Sequence, residues 1–303
     1  MAALNTLLLL LAAVCIPGLV NRTRAVLAGR RGIRFAQHLY DVRLLLRKGA
    51  VYSTTASALQ RAVPSVYLGS AIVAALFIPV GDLQPVLSFD GDIVCFAYLL
   101  ALGRFALILG AMDTGSSFEG MGASREALYG ALIEPALMLT AGTLALLAGH
   151  TSFARIFADA ATGDLQLAVI LLLAAYVLVK IVFTESGRVP IDDPRTHLEL
   201  TMIHEVMCLD YCGVDLGMIK IAGWLKTAAL SMLAADAVTA VLCPHWWAAA
   251  PLAVLVTGLS VGIVESTQAR NKLSRNTTFI LTITALAALV FFTGYLLQLN
   301  IGL

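Results

Sequence analysis

The sequence contains few charged residues. Asp, Glu, Lys and Arg make up 13% of its 303 residues, whereas apolar residues make up 59%. Soluble domains carry about 25% charged residues, so this chain lacks the polar surface that would coat a globule in water. The formal net charge is only +1, and no nucleic-acid partner is expected. The composition indicates an integral membrane protein.

The sequence also lacks a framework of paired cysteines. Its 5 cysteines are scattered, and an odd number without paired spacing predicts no set of disulfides. Cys208 and Cys212 would share one face of a helix, either as a redox pair or, as we favour, as two small buried side chains. No basic segment precedes the first apolar run, so we interpret that run as a retained helix and not as a signal peptide.

Long apolar runs are what the sequence has in quantity. A helix needs about 20 apolar residues to cross the hydrocarbon, and the runs show none of the period-2 alternation of a membrane barrel. We predict an all-α membrane protein in one domain, 1–303, with about eight transmembrane helices. The predicted spans are 3–20, 64–80, 93–112, 127–149, 166–184, 218–242, 247–266 and 277–299.

The basic residues predict the orientation of these helices. Lys and Arg concentrate in four connections that lie on one side if every span crosses, and the opposite connections hold only Arg155. By the positive-inside rule the basic side is cytoplasmic, which places both termini outside the inner (plasma) membrane. Segment 36–49 has the pattern of an amphipathic helix on the cytoplasmic surface of the membrane or on a partner protein. The four cytoplasmic connections are 21–63, 113–126, 185–217 and 267–276.

Ionisable residues inside the spans are candidates for function, since charges at membrane depth usually face a bundle interior or a water cavity. Glu134 is the strongest, because it lies well inside its span and precedes Pro135, which loosens the local helical hydrogen bonds. We favour a proton relay at Glu134 over a purely structural hydrogen bond. Lys226 and Asp236 share a predicted helix, so each needs a partner elsewhere. The other charges in or near spans are Arg104, Asp113, Lys180, Glu185, Lys220 and Glu265, which lie close enough to a span's end to snorkel.

The densest group of ionisable residues lies in segment 185–212. Its first part contains Gly187, Pro190 and Pro194 and is predicted to be a loop. A helix is predicted from about Thr196, with Glu199 at the capping-box spacing. Two histidines, a carboxylate and a thiol raise a metal site as an alternative, but the spacing matches no standard site. We favour a proton-carrying cluster at the cytoplasmic mouth. The residues in this group are Glu185, Arg188, Asp192, Asp193, Arg195, His197, Glu199, His204, Glu205 and Asp210.

Three stretches carry a resemblance to a known family. ESGRVPIDDPRTHLELTMIHEVMCLDYCG at 185–213 resembles the signature loop of the subunit 1 family of respiratory complex I. It is more similar to the related membrane anchor subunit of energy-converting nickel–iron hydrogenases and formate hydrogenlyases. MDTGSSFEGMGASREALYGALIEP at 112–135 and VESTQAR at 264–270 are similar to motifs of that hydrogenase branch. The segment ending QHLYDVRLLLRK matches the family's first cytoplasmic loop more loosely.

The resemblance implies a non-catalytic, eight-helix subunit that anchors a hydrophilic redox arm. The implied partners are small iron–sulfur and large hydrogenase-like subunits on the cytoplasmic side, antiporter-like membrane subunits, and lipid. It implies no redox cofactor or metal in this chain; iron–sulfur clusters belong to the partners, and nickel–iron in the large one is left open. The resemblance implies acidic positions of a proton pathway at Glu134, Glu185, Asp192, Glu199 and Asp210. We add His204 and Glu205 of the same segment to the predicted pathway. Arg188, Arg125 and Asp113 are the expected charge partners in the loops, and Lys226, Asp236 and Glu265 are secondary charges in the membrane.

The departures from complex I separate two alternatives. Complex I has further carboxylates where this chain has Arg195 and His197, and the run Arg-x-Gly-Pro-Asn is absent after the first loop. These differences favour a proton-pathway anchor of a hydrogenase-type complex over a quinone-binding subunit. The quinone alternative predicts a cavity between the first helix, the surface helix and segment 185–212. A stand-alone cation transporter is disfavoured, because no inverted repeat is found.

Overall fold

The computed structural model describes residues 1–160, 165–192, 202–243, 246 and 248–299. Within these ranges the chain is almost entirely helical and contains no β-strand, which confirms the predicted all-α class. The helices are α1 Ala2–Leu27, α2 Gln37–Leu45, α3 Ala58–Ala75, α4 Asp92–Asp113, α5 Ser117–Ala148, α6 Phe153–Ala160, α7 Leu165–Glu185, α8 Gly213–Leu242, α9 Ala249–Thr267 and α10 Leu273–Gln298.

A helix lies at each of the predicted membrane spans. Seven helices in the described ranges are long and apolar enough to cross a membrane: α1, α4, α5, α7, α8, α9 and α10. The remaining predicted span corresponds to α3, whose first turn carries Gln60 and Arg61. Because α3 packs between α4 and α8, it belongs to the same bundle even though its composition is more polar.

Helix α8 lies at the centre of the bundle. It contacts α1, α2, α3, α6, α7 and α9, and most of its residues are buried. Buried apolar residues from these helices form one continuous core. The buried ionisable residues of α8, Asp215, Lys226 and Asp236, therefore face other parts of the protein and not lipid.

Hydrogen bonds between connections indicate that these gather at two ends of the bundle. We call the end with the Arg- and Lys-rich connections the basic end, and the other the opposite end. At the basic end the amide of Asn271 donates to the carbonyl of Pro190 at 2.9 Å, and at the opposite end the amide of Gly91 donates to the carbonyl of Thr151 at 3.3 Å. The connections at each end thus support one another.

Two predictions for the connections have different outcomes. The surface helix is confirmed as α2, which packs against α8 and α1. The helix predicted from Thr196 is wrong for residues 202–212, where only Val206–Cys208 form a short 3-10 helix. The carboxylate of Asp192 accepts hydrogen bonds from the amides of Ile203 and His204 at 3.0 and 3.3 Å. These hydrogen bonds fix the backbone at residues 203 and 204 to Asp192 and compete with the hydrogen bonds of a regular helix.

Candidate functional site: a buried charge cluster

Arg104 of α4 is the centre of the candidate site. Its Nη1 donates to Oε1 of Glu134 at 2.6 Å, its Nη2 donates to Oε1 of Glu185, and its Nε lies 3.2 Å from Oε1 of Glu126. The side chains of Arg104, Glu126 and Glu185 are all less than a tenth exposed. One guanidinium therefore joins three carboxylates from two other helices, α5 and α7.

The spacing along α5 explains how one arginine reaches two of its carboxylates. Glu126, Gly130 and Glu134 follow one another at intervals of four residues. They therefore lie on one face of the helix, each about one turn from the next. Gly130 has no side chain, and the guanidinium of Arg104 occupies the space above it: a Cβ at this position would lie 2.7 Å from Nη1 and 2.8 Å from Cδ. The glycine thus makes room for the arginine between the two glutamates.

Lys226 of α8 supplies a second buried cation. Its Nζ lies 2.9 Å from Oε2 of Glu185, and both side chains are less than a tenth exposed. The expectation that Lys226 requires a partner on another helix is confirmed. Glu185, at the end of α7, thus bridges Arg104 and Lys226, one through each carboxylate oxygen.

His204 connects this group to the loop at the basic end. Its Nε2 lies 3.4 Å from Oε2 of Glu126, and its Nδ1 lies 3.8 Å from Oδ2 of Asp192. Oδ1 of Asp192 is 3.6 Å from Nη2 of Arg270. Burial lowers the pKa of His204, but the charge of Glu126 and the contact with Asp192 outweigh burial and raise that pKa above its usual value. Burial opposes ionisation of Asp192, but His204, the amide of Ile203 and Arg270 hold the pKa of its carboxyl below the usual range.

The charge balance of this group leaves room for one exchangeable proton. We call Arg104, Glu126, Glu134, Glu185, His204 and Lys226 the buried charge cluster. It holds three carboxylates and two permanent cations, so it is balanced only when His204 is protonated or one carboxyl is neutral. Uncompensated charge is costly in a low-dielectric interior. A proton that leaves His204 is therefore expected to be taken up by a neighbouring carboxylate.

The cluster is buried at one side and open at the other. Glu134 differs from the remaining members because its side chain is 43% exposed. It lines a cavity of about 310 Å³ together with Arg104, Tyr98 and Met138. The charged contacts thus run from Asp192 at the basic end, through His204, Glu126 and Arg104, to a carboxylate on the lateral surface of α5.

A second charged group lies beside the cluster at the basic end. Glu265 of α9 binds Arg24 of α1 through Oε1, and its Oε2 lies 3.3 Å from Nη1 of Arg188. Arg188 was expected to pair with carboxylates of its own loop. Among the described residues its carboxylate partner is Glu265, and Asp193 and Glu199 of that loop lie outside them. Arg188 also donates to Oδ1 of Asn21 at 3.3 Å, and Asn21 contacts Nε2 of His38 at 2.6 Å. This group ties the loop to α1, α2 and α9.

A cavity of about 420 Å³ opens between these two groups. Its wall is formed by α1, α3, α7, α8 and α9 together with the loop, and His38 of α2 reaches it. Polar atoms come from Glu185, Arg188, His204 and Lys226, whereas most other lining residues are apolar, among them Ile16, Leu107, Val182, Ile219 and Val261. This is the position at which the quinone alternative predicts a cavity.

Several expected site residues lie outside the cluster. Glu205 and Asp210 are exposed. Asp113 was expected to be a charge partner, but its carboxylate accepts from the amide and hydroxyl of Ser57, each at 2.8 Å, and so caps the start of α3. Arg125 donates to the carbonyl of Met202 at 2.8 Å. Glu199 and the neighbouring Asp193, Arg195 and His197 lie outside the described residues.

Asp236, Cys208 and Cys212 also differ from their expected settings. Asp236 lies near the opposite end of α8, and its partner is the amide of Gly81 in a connection, at 2.9 Å. Cys208 and Cys212 are free and do not share an α-helix. Burial raises the pKa of the Cys208 thiol to about 12, so this thiol stays protonated at neutral pH and is a poor redox group.

Sequence reasoning did not select Glu126 and Glu119, two buried carboxylates of α5. Glu126 is central to the cluster, and its spacing of two turns from Glu134 was the available signal. Glu119 in the first turn of α5 is fully buried, and its Oε1 accepts from the amide of Asp210 at 2.8 Å. Neither residue lies in an apolar run, so neither appeared as a charge inside a span.

Residues 1–296 of the chain match the profile of the NADH dehydrogenase family. The chain belongs to this family.

Two proteins of Escherichia coli are similar to the chain over most of its length. Hydrogenase-4 component C of Escherichia coli (strain K12) is 33% identical over 233 residues, which cover 77% of this chain and 72% of that protein. Formate hydrogenlyase subunit 4 of the same organism is 31% identical over 217 residues, covering 72% of this chain and 70% of that protein. With the apolar helices, membership in this NADH dehydrogenase family shows an integral membrane protein of the hydrogenase-related branch.

The fold is also found in a solved respiratory complex. A chain in the structure of the membrane-bound sulfane sulfur reductase, an archaeal respiratory membrane complex, matches with a TM-score of 0.77 at 21% identity. The match covers 97% of this chain and 99% of that one. At this identity the likeness shows a shared fold and no more.

Proposed function

We propose that the chain is the membrane anchor and proton-pathway subunit of a hydrogenase-type redox complex. The relatives named above are components of hydrogenase-4 and formate hydrogenlyase, which supports this class of complex. The chain itself would carry no redox cofactor, and the electrons would pass through iron–sulfur clusters in a soluble arm. Antiporter-like membrane subunits would complete ion translocation.

The basic end is where the soluble arm would bind. Positive residues concentrate on the cytoplasmic side of membrane proteins, which places the basic end of this bundle in the cytoplasm and both termini outside the inner membrane. Exposed apolar side chains on and around α2, among them Phe35, Leu39, Tyr40 and Leu44, provide a surface for that arm. Such a concentration of exposed apolar residues marks a contact with a partner protein or with the membrane, and we assign it to the soluble arm.

The observation that carries the proposal is the continuous series of charged contacts from Asp192 to Glu134. Each successive pair among Asp192, His204, Glu126, Arg104 and Glu134 is separated by 3.8 Å or less. Protons do not pass through the guanidinium of Arg104, whose pKa is too high to release one. Its role is to hold Glu126 and Glu134 in place.

The order of events follows from the charge balance. A change at the loop that moves Asp192 away from His204 would weaken the hold of His204 on its proton. Glu126 is the adjacent acceptor, at 3.4 Å from the imidazole. Arg104 and Glu185 line both a small space beside Glu126 and the cavity of Glu134. Water in these two spaces would then connect Glu126 with Glu134, which opens laterally toward a neighbouring membrane subunit. This couples a movement of the loop to the movement of one proton.

The test is redox-driven proton translocation in vesicles that contain the complete complex. Glu134→Gln keeps the shape and the hydrogen bond from Arg104 but cannot take up a proton. We expect normal electron transfer with the number of protons moved per electron sharply reduced. Asp90→Asn is the matched control, since Asp90 pairs with Arg155 on the exposed surface at the opposite end. Unchanged pumping in Glu134→Gln would remove Glu134 from the pathway.

One observation favours a second function, that of a quinone-binding subunit. The cavity of about 420 Å³ lies where that alternative requires one, and its apolar walls with His38 and Glu185 nearby suit a lipid-soluble headgroup. A quinone bound there would supply a two-electron acceptor, and His38 and Glu185 would orient it. The first function does not require a quinone in this cavity, so quinone binding can be tested separately. Substituting Trp for Gly223, which lines it, should abolish quinone-dependent activity only if a quinone binds there.

A further inference from the structure

A third cavity lies at the opposite end of the bundle, away from the buried charge cluster. Its volume is about 210 Å³. Asp236, Thr239, Ala240 and Cys243 line one wall, and their spacing of three and four residues places them on one face of α8. Asp82 and Gln84, both exposed, lie at its mouth.

Asp236 forms the floor of this cavity and has an incomplete set of partners. The residue is only 2% exposed. Its Oδ1 accepts the amide hydrogen of Gly81 at 2.9 Å. Its Oδ2 is buried and has no hydrogen-bond donor among the described residues. The hydrogen bond to Gly81 uses one carboxyl oxygen. It does not account for the second oxygen, which has no partner among the described residues.

The charges around Asp236 do not favour an ionised carboxylate. In the described part of the chain, the titratable groups that line the cavity with it are Asp82 and Cys243, and no Lys, Arg or His is among them. The wall contributed by α6 is apolar, with Ala154, Phe157 and Ala158. An ionised carboxylate with one hydrogen bond in such a setting is costly, whereas a neutral carboxyl can donate its hydrogen from Oδ2 to water.

The cavity is large enough to hold that water. A single water needs about 10–15 Å³ of such space and two to four polar partners. Asp82, Gln84, Thr239 and Asp236 provide polar groups from the mouth to the floor. The exposed mouth therefore connects the buried Oδ2 with the solvent at the opposite end.

We propose that Asp236 is a proton-exchange site that serves the opposite end of the bundle through this cavity. In the exchange, Oδ2 forms an O–H bond with a proton from a hydronium ion in the cavity, which leaves as water, and the reverse step returns the proton. The site is separate from the buried charge cluster: Asp236 lies ten residues beyond Lys226 on α8, about 15 Å along the helix axis. This proposal for Asp236 rests on the fold and not on the proposed function.

The test is labelling with dicyclohexylcarbodiimide, which reacts with protonated carboxyl groups in apolar surroundings. The purified complex is labelled without electron transfer, and peptides are mapped by mass spectrometry. We expect label on Asp236 that declines as pH rises, and its complete loss in Asp236→Asn. Asp90→Asn, an exposed acid at the same end, should leave the label on Asp236 unchanged. If Asp236 is not labelled at any pH, the proposal is overturned.

Two further readouts exclude other roles for Asp236. Addition of NaCl at constant pH should not protect Asp236 from label; protection would identify a site for a monovalent cation and overturn proton exchange. Asp236→Asn keeps an acceptor for Gly81 and resembles the neutral acid, so its melting temperature should equal that of the unchanged complex. A large loss of thermal stability in this variant would indicate an ionised structural carboxylate instead.

Discussion

Lys226→Met tests the charge balance of the buried charge cluster through stability. The variant keeps the volume of the side chain and removes its charge. Nζ of Lys226 lies 2.9 Å from Oε2 of Glu185, and both side chains are less than a tenth exposed. Without Lys226, Arg104 and protonated His204 must balance Glu126, Glu134 and Glu185.

The size of the effect follows from the burial of the pair. Removal of one partner of a buried ion pair costs about 3–5 kcal/mol, because the other charge is left uncompensated. Lys226→Met combined with Glu185→Gln removes one charge of each sign and leaves the balance of the cluster as before. The double variant should therefore recover about 2–3 kcal/mol of the loss, as expected for residues in one network.

The assay is the free energy of unfolding in bicelles, measured by steric trapping at neutral pH. Lys180→Met is the matched control: Lys180 is also a lysine within a span, but its Nζ lies over the rings of Tyr176 and Phe279, at 5.5 and 5.6 Å from their centroids. This control should cost about 1 kcal/mol. The reasoning is refuted if Lys226→Met costs no more than the control, or if the losses of the two single variants simply add in the double variant.

Three further predictions concern the loop and the helix ends. Protonated His204 stabilises the fold, because its pKa is raised in the folded state. This contribution is complete below pH 6.5, the ordinary pKa of histidine, and is lost as pH rises through the folded-state pKa. His204→Gln should therefore make the free energy of unfolding less dependent on pH across that range. Gly130→Ala should displace Arg104, lower stability by about 1–3 kcal/mol and reduce proton pumping, whereas Gly142→Ala, with open space around it, should do neither. Asp113→Ala should speed amide hydrogen exchange at the start of α3 without changing proton pumping, and altered pumping would contradict a capping role.

The helices could be predicted because the membrane restricts the backbone conformation of a long apolar run to a helix. Backbone amides and carbonyls in hydrocarbon must be satisfied within each segment, so an apolar run of sufficient length is a helix whatever its neighbours. The case of α3 shows the limit of that rule. Gln60 and Arg61 make its start polar, and its place in the bundle depends on packing against α4 and α8.

The contacts of the site could be predicted only in part. Helical spacing places Glu126, Gly130 and Glu134 on one face, so the sequence contained the signal for this half of the cluster. The pairing of Lys226 with Glu185 depends on which helix lies beside α8, and no local pattern fixes that. The backbone of 202–212 likewise follows from a distant carboxylate, Asp192, which binds the amides of Ile203 and His204.

The proton-to-electron ratio of the complex with Glu126→Gln tests the central claim most directly. Glu126 is the link between His204 and Arg104, and the substitution preserves its shape while preventing it from accepting a proton. In vesicles containing the complete complex, the account predicts continued electron transfer with pumping lost. A ratio equal to that of the unchanged complex would contradict the proposal that protons cross the buried charge cluster.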